Sequence, residues 1–291
     1  MSGVSSHAPV GRGGSDSVGL VVNTYERTYR DVLSPGFFPA IAAQNRRESD
    51  EVVALVNNVA DRADAQERAE ALRAAGEISA YAFVADHLPQ ALRAARLPAR
   101  VLRRRPYLLD YGLVMPHVVG TRWLLGWDAE TRLPVPTDWL TPSLELLGDD
   151  PRVFHTSLGW SVAPGEPGPL GEAVDHVGDF ALGWGFSDQL FLLRRADLVG
   201  PIWRAFAPAA AVRHAPHPYT FEYRVEAHQR AVRRHRATLT TVRYETNDLS
   251  TGVVERDGRS WRDDAERRAL LTLEATVVAR LPQWVGPRFR R

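Results

Sequence analysis

The 291-residue chain has no lysine and no cysteine, and all 36 of its basic residues are arginine. The missing lysine excludes a Schiff-base amine and a phosphate-loop lysine, and the missing cysteine excludes disulfides, thiolate metal sites and a cysteine nucleophile. Long apolar runs are absent as well. No window reaches the ~18 consecutive apolar residues of a membrane span, because Arg, Asp or Pro interrupts every candidate. Charge of one sign is also not in excess: 35 acidic residues leave a net charge of +1. No long-range positive field results, so arginine runs such as 103–105 read as solvated faces and nucleic acid is not an expected partner. Arginine in place of lysine, with abundant alanine, is what GC-rich codon bias produces. Residues 1–17 are rich in Ser and Gly and lack the basic start and apolar core of a signal peptide, so they read as a disordered leader. The expectation is a soluble, cytoplasmic protein with no membrane span; nothing in the sequence sets its oligomeric state.

What remains is a globular composition, 44% hydrophobic and 24% charged, enough for the core of one large domain. From Val18 onward short apolar runs alternate with amphipathic ones, which predicts an α/β fold built on a strand-helix-strand sheet. Strands are expected at 18–23, 51–56, 80–84, 122–127, 152–158 and 237–244. Helices are expected from Ser34-Pro35 to about Arg46, over 61–75, from Pro106 to about Val119, over 136–147, 219–236 and 263–280. Ser161 to Gly178, with its Pro164-Gly165-Glu166-Pro167-Gly168-Pro169 core, is expected to be a loop of the kind that covers a ligand edge.

The stretch from Arg122 to Leu133 carries the chemistry. Leu124, Leu125 and Trp127 form an apolar strand that ends in Asp128 and Glu130, and the carboxyl ends of strands are where open α/β sheets hold ligands. Carboxylate oxygens suit magnesium or manganese, which keep further positions for water and substrate phosphates. The plainer reading of Asp-x-Glu is a solvated turn. Asp188, after paired glycines and before an apolar run, is exposed beside a core, with helix capping as its alternative role. Tyr25, at a strand end, either stacks on a base or packs, and Asp86 either faces a ligand or caps a turn. His228 falls on the apolar side of its helix and reads as a core histidine, whereas His214 and His217 lie in a proline-flanked loop. These three are kept open as metal or phosphate contacts. Trp139, Trp160 and Trp184 either stack on a sugar or fill the core.

Taken in order, these segments resemble a GT-A fold nucleotide-sugar glycosyltransferase, nearest glycosyltransferase family 2, over about Val18 to Gly200. The segments are Val22-Asn-Thr-Tyr-Glu-Arg27, Asn57-Asn58 through Asp61, Asp86, Trp127-Asp-Ala-Glu130 and Gly185-Phe-Ser-Asp-Gln189. The resemblance implies a single domain with a mixed, mostly parallel sheet flanked by helices, its nucleotide-binding half at 18–130 and its acceptor half at 131–291. It implies nucleotide contacts from Thr24, Tyr25, Glu26, Asn58, Asp86 and Asp128, a divalent cation (Mn or Mg) on Asp128 and Glu130, and Asp188 as general base. The family more commonly has Asp-x-Asp, and Glu-Asp at the later site. The implied reaction is transfer of a sugar, with inversion, from a nucleoside diphosphate sugar donor to the hydroxyl or amine of a small-molecule acceptor. Two rivals are a nucleotidyltransferase, which normally needs an early glycine-rich loop that 22–30 lacks, and a non-catalytic nucleotide-sugar-binding module.

Overall fold

The computed structural model describes residues 16–102, 106–160, 169–214 and 220–246, together with positions 265, 269 and 272. Residues 1–15 of the expected leader, the core of the expected lid, His217 and most of the last expected helix lie outside these residues; Ser17, expected in the disordered leader, is buried and its carbonyl accepts the Trp123 N–H at 3.0 Å, and positions 265, 269 and 272 are helical.

The strands are β1 Val18–Thr24, β2 Glu51–Val56, β3 Ala80–Phe83, β4 Trp123–Asp128, β5 Thr131–Arg132, β6 Val153–Trp160, β7 Asp175–Val177, β8 Phe180–Gly183, β9 Leu190–Arg194 and β10 His235–Thr246. The helices are α1 Tyr29–Val32, α2 Phe37–Asn45, α3 Arg62–Ala74, α4 Val84–Ala95, α5 Asp110–Val114, α6 Leu140–Asp149, α7 Pro208–Arg213 and α8 Phe221–Val232. The strands join in one sheet, ordered β3-β2-β1-β4-β9-β6-β10-β8-β7, with β5 paired to β10. β5, β8 and β9 run against the other strands, so the sheet is mixed and mostly parallel, as expected.

Both faces of the sheet are covered. Val18, Leu20 and Val22 point into a core shared with α1, α2, α3 and α6. Val21, Val53 and Leu55 point to the other face, against α4, α5 and α8. Burial on both sides is why β1, β2 and β4 read as continuous apolar runs. Small residues set the closest approaches. A Cβ added at Gly126 of β4 would lie 2.2 Å from the Phe191 ring of β9, and one at Gly112 of α5 would lie 2.5 Å from the Phe221 ring of α8.

The sheet order reverses beside β1. The chain builds β1, β2 and β3 outward in one direction and then returns to place β4 on the other side of β1. Such a reversal opens a crevice at the carboxyl ends of the two diverging strands. The register sets Asn23 opposite Asp128 and Thr24 opposite Val56, so the residues that follow β1, β2 and β4 share one sheet edge.

Several elements differ from the sequence expectations. Ser34 does not cap α2; its hydroxyl donates to the Asp31 carbonyl, and Gly36, with φ 89°, precedes the helix. The expected helix over 106–119 is broken into 3-10 turns around the short α5, the second turn containing Pro116. α4 was not anticipated, and Pro89 within it is what disguises it. Asp175–Val177 at the end of the expected loop is a strand, and α7 ends directly before His214, where a proline-flanked loop was expected. Among the described residues no helix is long and apolar enough to cross a membrane.

Candidate functional site at the sheet switch point

Asp128 is the last residue of β4. Antiparallel pairing of β4 with β9, Trp127 opposite Leu190, ties it to the segment before β9: its N–H donates to the Gln189 carbonyl at 2.7 Å. This pairing brings Asp188 beside Asp128 although many residues separate them in sequence. Glu130 lies in the turn that follows, buried, and its N–H donates to Asp128 Oδ1 at 2.9 Å. Tyr25, just past β1, reaches across the switch point with its hydroxyl toward Glu130 Oε1 at 3.4 Å.

The electrostatics follow from this crowding. Burial, then the nearby charges of Asp188 and Glu130, push the Asp128 carboxyl up to about 7 against the opposing hydrogen bonds from the Glu130 and Ala129 N–H groups. Burial raises Glu130 as well, although the Tyr25 hydroxyl and Arg27 pull it down. Tyr25 is raised to about 12 by burial and by the charges of Glu130 and Asp128. Desolvated acids of like sign at one point favour either protonation or a cation.

Asp188 is held from several directions. The Tyr111 hydroxyl of α5 donates to Asp188 Oδ2. The Tyr244 hydroxyl of β10 meets Ser187 Oγ at 3.0 Å and donates to Gln189 Oε1 at 3.0 Å, so the residues on either side of Asp188 are fixed. Burial raises the Asp188 carboxyl, opposed by the Tyr111 hydrogen bond and the charge of His214. His214 Nε2 lies 3.0 Å from Glu226 Oε2, and Glu226 also takes two hydrogen bonds from Arg230, at 2.8 and 2.6 Å, in the interior of α8.

The end of β2 forms another side of this sheet edge. Asn57 Nδ2 donates to Asp110 Oδ1 at 2.9 Å, and Asn58 has left-handed backbone, φ 47°. Burial raises the Asp110 carboxyl to about 6 against hydrogen bonds from the Asn57 and Asn58 side chains and the Tyr111 N–H.

The structure thus brings together Tyr25, Asp128, Glu130 and Asp188, with Asn58 tied to the same edge through Asp110. Three residues expected at the nucleotide have partners within the protein. Thr24 is fully buried, and its hydroxyl meets that of Thr28 at 3.0 Å, so it shapes the turn after β1. The Glu26 carboxylate accepts the Ala60 N–H at 2.6 Å and ties that turn to the loop after β2. β3 ends at Phe83, and Asp86 sits exposed in the first turn of α4, paired through both oxygens with Arg62. His228 packs edge-on against Phe154, as expected of a core histidine. Trp139 is fully buried with its indole N–H on Asn45 Oδ1 at 2.6 Å. Sequence reading missed Asp110, Tyr111 and Tyr244. The weak signal available for the first two was Gly112, a helix-disfavouring residue inside a predicted helix.

A divalent cation fits the chemistry of the site in one way. Asp128 and Glu130 supply hard oxygen donors, but no group of three or more His, Asp or Glu side chains that could hold a metal ion occurs among the described residues. These two carboxylates match an ion that completes its coordination with diphosphate oxygens and water, not a closed protein cage. A groove of about 590 Å³ between α6 and β10, lined in part by Glu145, Leu146, Asp149 and Leu239, shares no residue with this site.

No protein-family model and no curated protein matches the chain. In structure it is similar to glucosyl-3-phosphoglycerate synthase from Mycobacterium tuberculosis in complex with Mn2+, uridine diphosphate and phosphoglyceric acid, at 12% identity and TM-score 0.45, over 90% of this chain and 78% of that one. It is similar also to the same synthase with Mg2+ and uridine diphosphate, at 12% identity and TM-score 0.45, over 88% and 78%. A third similar structure is GalNAc-T7 with UDP, GalNAc and Mn2+, at 11% identity and TM-score 0.43, over 79% of this chain and 43% of that one. These are likenesses of fold, at identities that carry no residue roles across.

Proposed function

We propose that the protein is a glycosyltransferase that moves a sugar from a nucleoside diphosphate donor to the hydroxyl or amine of a small acceptor. The observation that carries this reading is the meeting of Asp128, Glu130 and Asp188 at the sheet switch point, with Tyr25 on one side and Tyr111 on the other.

In this reading 18–130 is the donor half, with Tyr25 and Asn58 flanking the nucleoside, and 131–291 is the acceptor half. Asp128, assisted by Glu130, would hold magnesium or manganese, which when bound neutralises charge developing on the leaving diphosphate. Asp188 does the work on the acceptor. One of its oxygens takes the Tyr111 hydroxyl, and the carboxylate accepts the proton of the attacking hydroxyl or amine as the new bond forms. Burial raises its proton affinity, which suits a base that must take a proton near neutral pH. Direct attack inverts the anomeric centre.

Asp188→Asn keeps the shape of the side chain and removes the base. Turnover is expected to fall by about 10²–10⁴-fold while donor affinity stays within a few-fold. Near-normal turnover would overturn the assignment of Asp188. Binding of nucleoside diphosphate without any donor cleavage by the unaltered protein would favour a non-catalytic binding module.

A further inference from the structure

Two consecutive residues at the start of α5 reach the two ends of the site. Asp110 is buried and accepts hydrogen bonds from the Asn57 amide, at the end of β2, and from the Tyr111 N–H at 2.7 Å. Tyr111, also buried, gives its hydroxyl to Asp188. Its ring is fixed edge-on against Phe221 at 5.6 Å. Phe221 can sit there because Gly112 leaves its ring room against α5.

A buried phenol needs a hydrogen-bond partner, and any nearby carbonyl would satisfy that need. Here the partner is a desolvated carboxylate, which makes the bond charge-assisted and therefore directional. Resting on the reading of Asp188 as base, we propose that Tyr111 is the positioning residue of this enzyme: it fixes the orientation of the Asp188 carboxylate toward the acceptor, and Asp110 with Asn57 fixes Tyr111 relative to the donor-binding edge. α5 is then the link between the nucleotide end of the sheet and the base.

The test is Tyr111→Phe, which keeps the ring and its packing and deletes only the hydroxyl, compared with Asp188→Asn and the double variant. The probe is the nucleoside diphosphate glucose whose diphosphate binds most tightly among the uridine, guanosine, thymidine and adenosine forms, with its turnover followed with manganese present. Tyr111→Phe is expected to lower kcat by about tenfold to a hundredfold, the scale set by misplacing a reacting group, with diphosphate affinity nearly unchanged and the melting temperature lowered by only a few degrees, as one lost buried hydrogen bond requires. The double variant is expected to be no slower than Asp188→Asn alone, because both changes act through one carboxylate. Full turnover in Tyr111→Phe with a slow Asp188→Asn would overturn the role of Tyr111 and leave the base in place. A parallel loss of diphosphate affinity, or losses that multiply in the double variant, would make Tyr111 structural and overturn the proposal. Full turnover in Asp188→Asn would remove the base assignment and the proposal with it.

Discussion

At the scale of single residues the site is a problem in carboxylate burial. Asp110 shows the cost in isolation, being 3% exposed with its carboxyl raised from 3.8 to about 6 by desolvation. The folded protein therefore binds this proton more tightly than the unfolded chain does. The contribution of Asp110 to stability is fully present below about pH 4 and is lost as pH rises through about 6, by roughly 3 kcal/mol at 1.36 kcal/mol per unit. Asp110→Asn cannot ionise and retains an oxygen for the Asn57 amide. It is expected to be more stable than the unaltered protein at pH ~7.5, with the difference shrinking toward pH ~4.5. Denaturant unfolding at the two pH values measures this, and an equal or reversed difference would mean that Asp110 is ionised without penalty. The legibility of such residues in sequence was uneven. Asp128 announces itself because a carboxylate at the end of an apolar strand is unusual, whereas Tyr111 is an aromatic inside an apolar stretch, where packing is the ordinary outcome. Only the packing of α5 beside the segment before β9 reveals that its hydroxyl meets Asp188.

At the scale of elements, strands buried on both faces were the most legible features, since their apolar runs are bounded by turn residues: β2 falls where expected, and β1 and β4 within a residue of it. α3 was equally clear, because Asp61 caps it by accepting the Asp64 N–H and its apolar positions keep to one side. α4 was not, since Pro89 blurs a helical period that tertiary packing nevertheless sustains, and α5 was expected as part of a longer helix that the structure breaks into 3-10 turns. Gly126 shows how an element positions the site. It stands two residues before Asp128, and the Phe191 ring occupies the space a side chain would need. Gly126→Ala is therefore expected to separate β4 from β9, costing about 1–3 kcal/mol of stability and lowering diphosphate affinity as Asp128 shifts. Unfolding and calorimetry on one sample check both; unchanged stability would show that the ring moves aside freely.

At the scale of the whole molecule, the fold does for chemistry what the linear order cannot. It reverses sheet order between β1 and β4 and so gathers the ends of β1, β2 and β4 and the segment before β9 at one edge. Asp128, raised by its burial and by the charges of Asp188 and Glu130, and Asp188, raised by its burial, are costly there unless a cation and its diphosphate share the site. That is why nucleotide binding and metal binding are expected to be a single event. The most direct measurement is titration calorimetry with a panel of nucleoside diphosphates, in manganese and in excess chelator. At least one diphosphate is expected to bind saturably with manganese and to be released by chelation, and Asp128→Ala, folded as before, is expected to show the weak chelator-like binding under both conditions. Undiminished affinity in chelator, or in Asp128→Ala with manganese, would contradict a metal-dependent nucleotide site at this edge of the sheet.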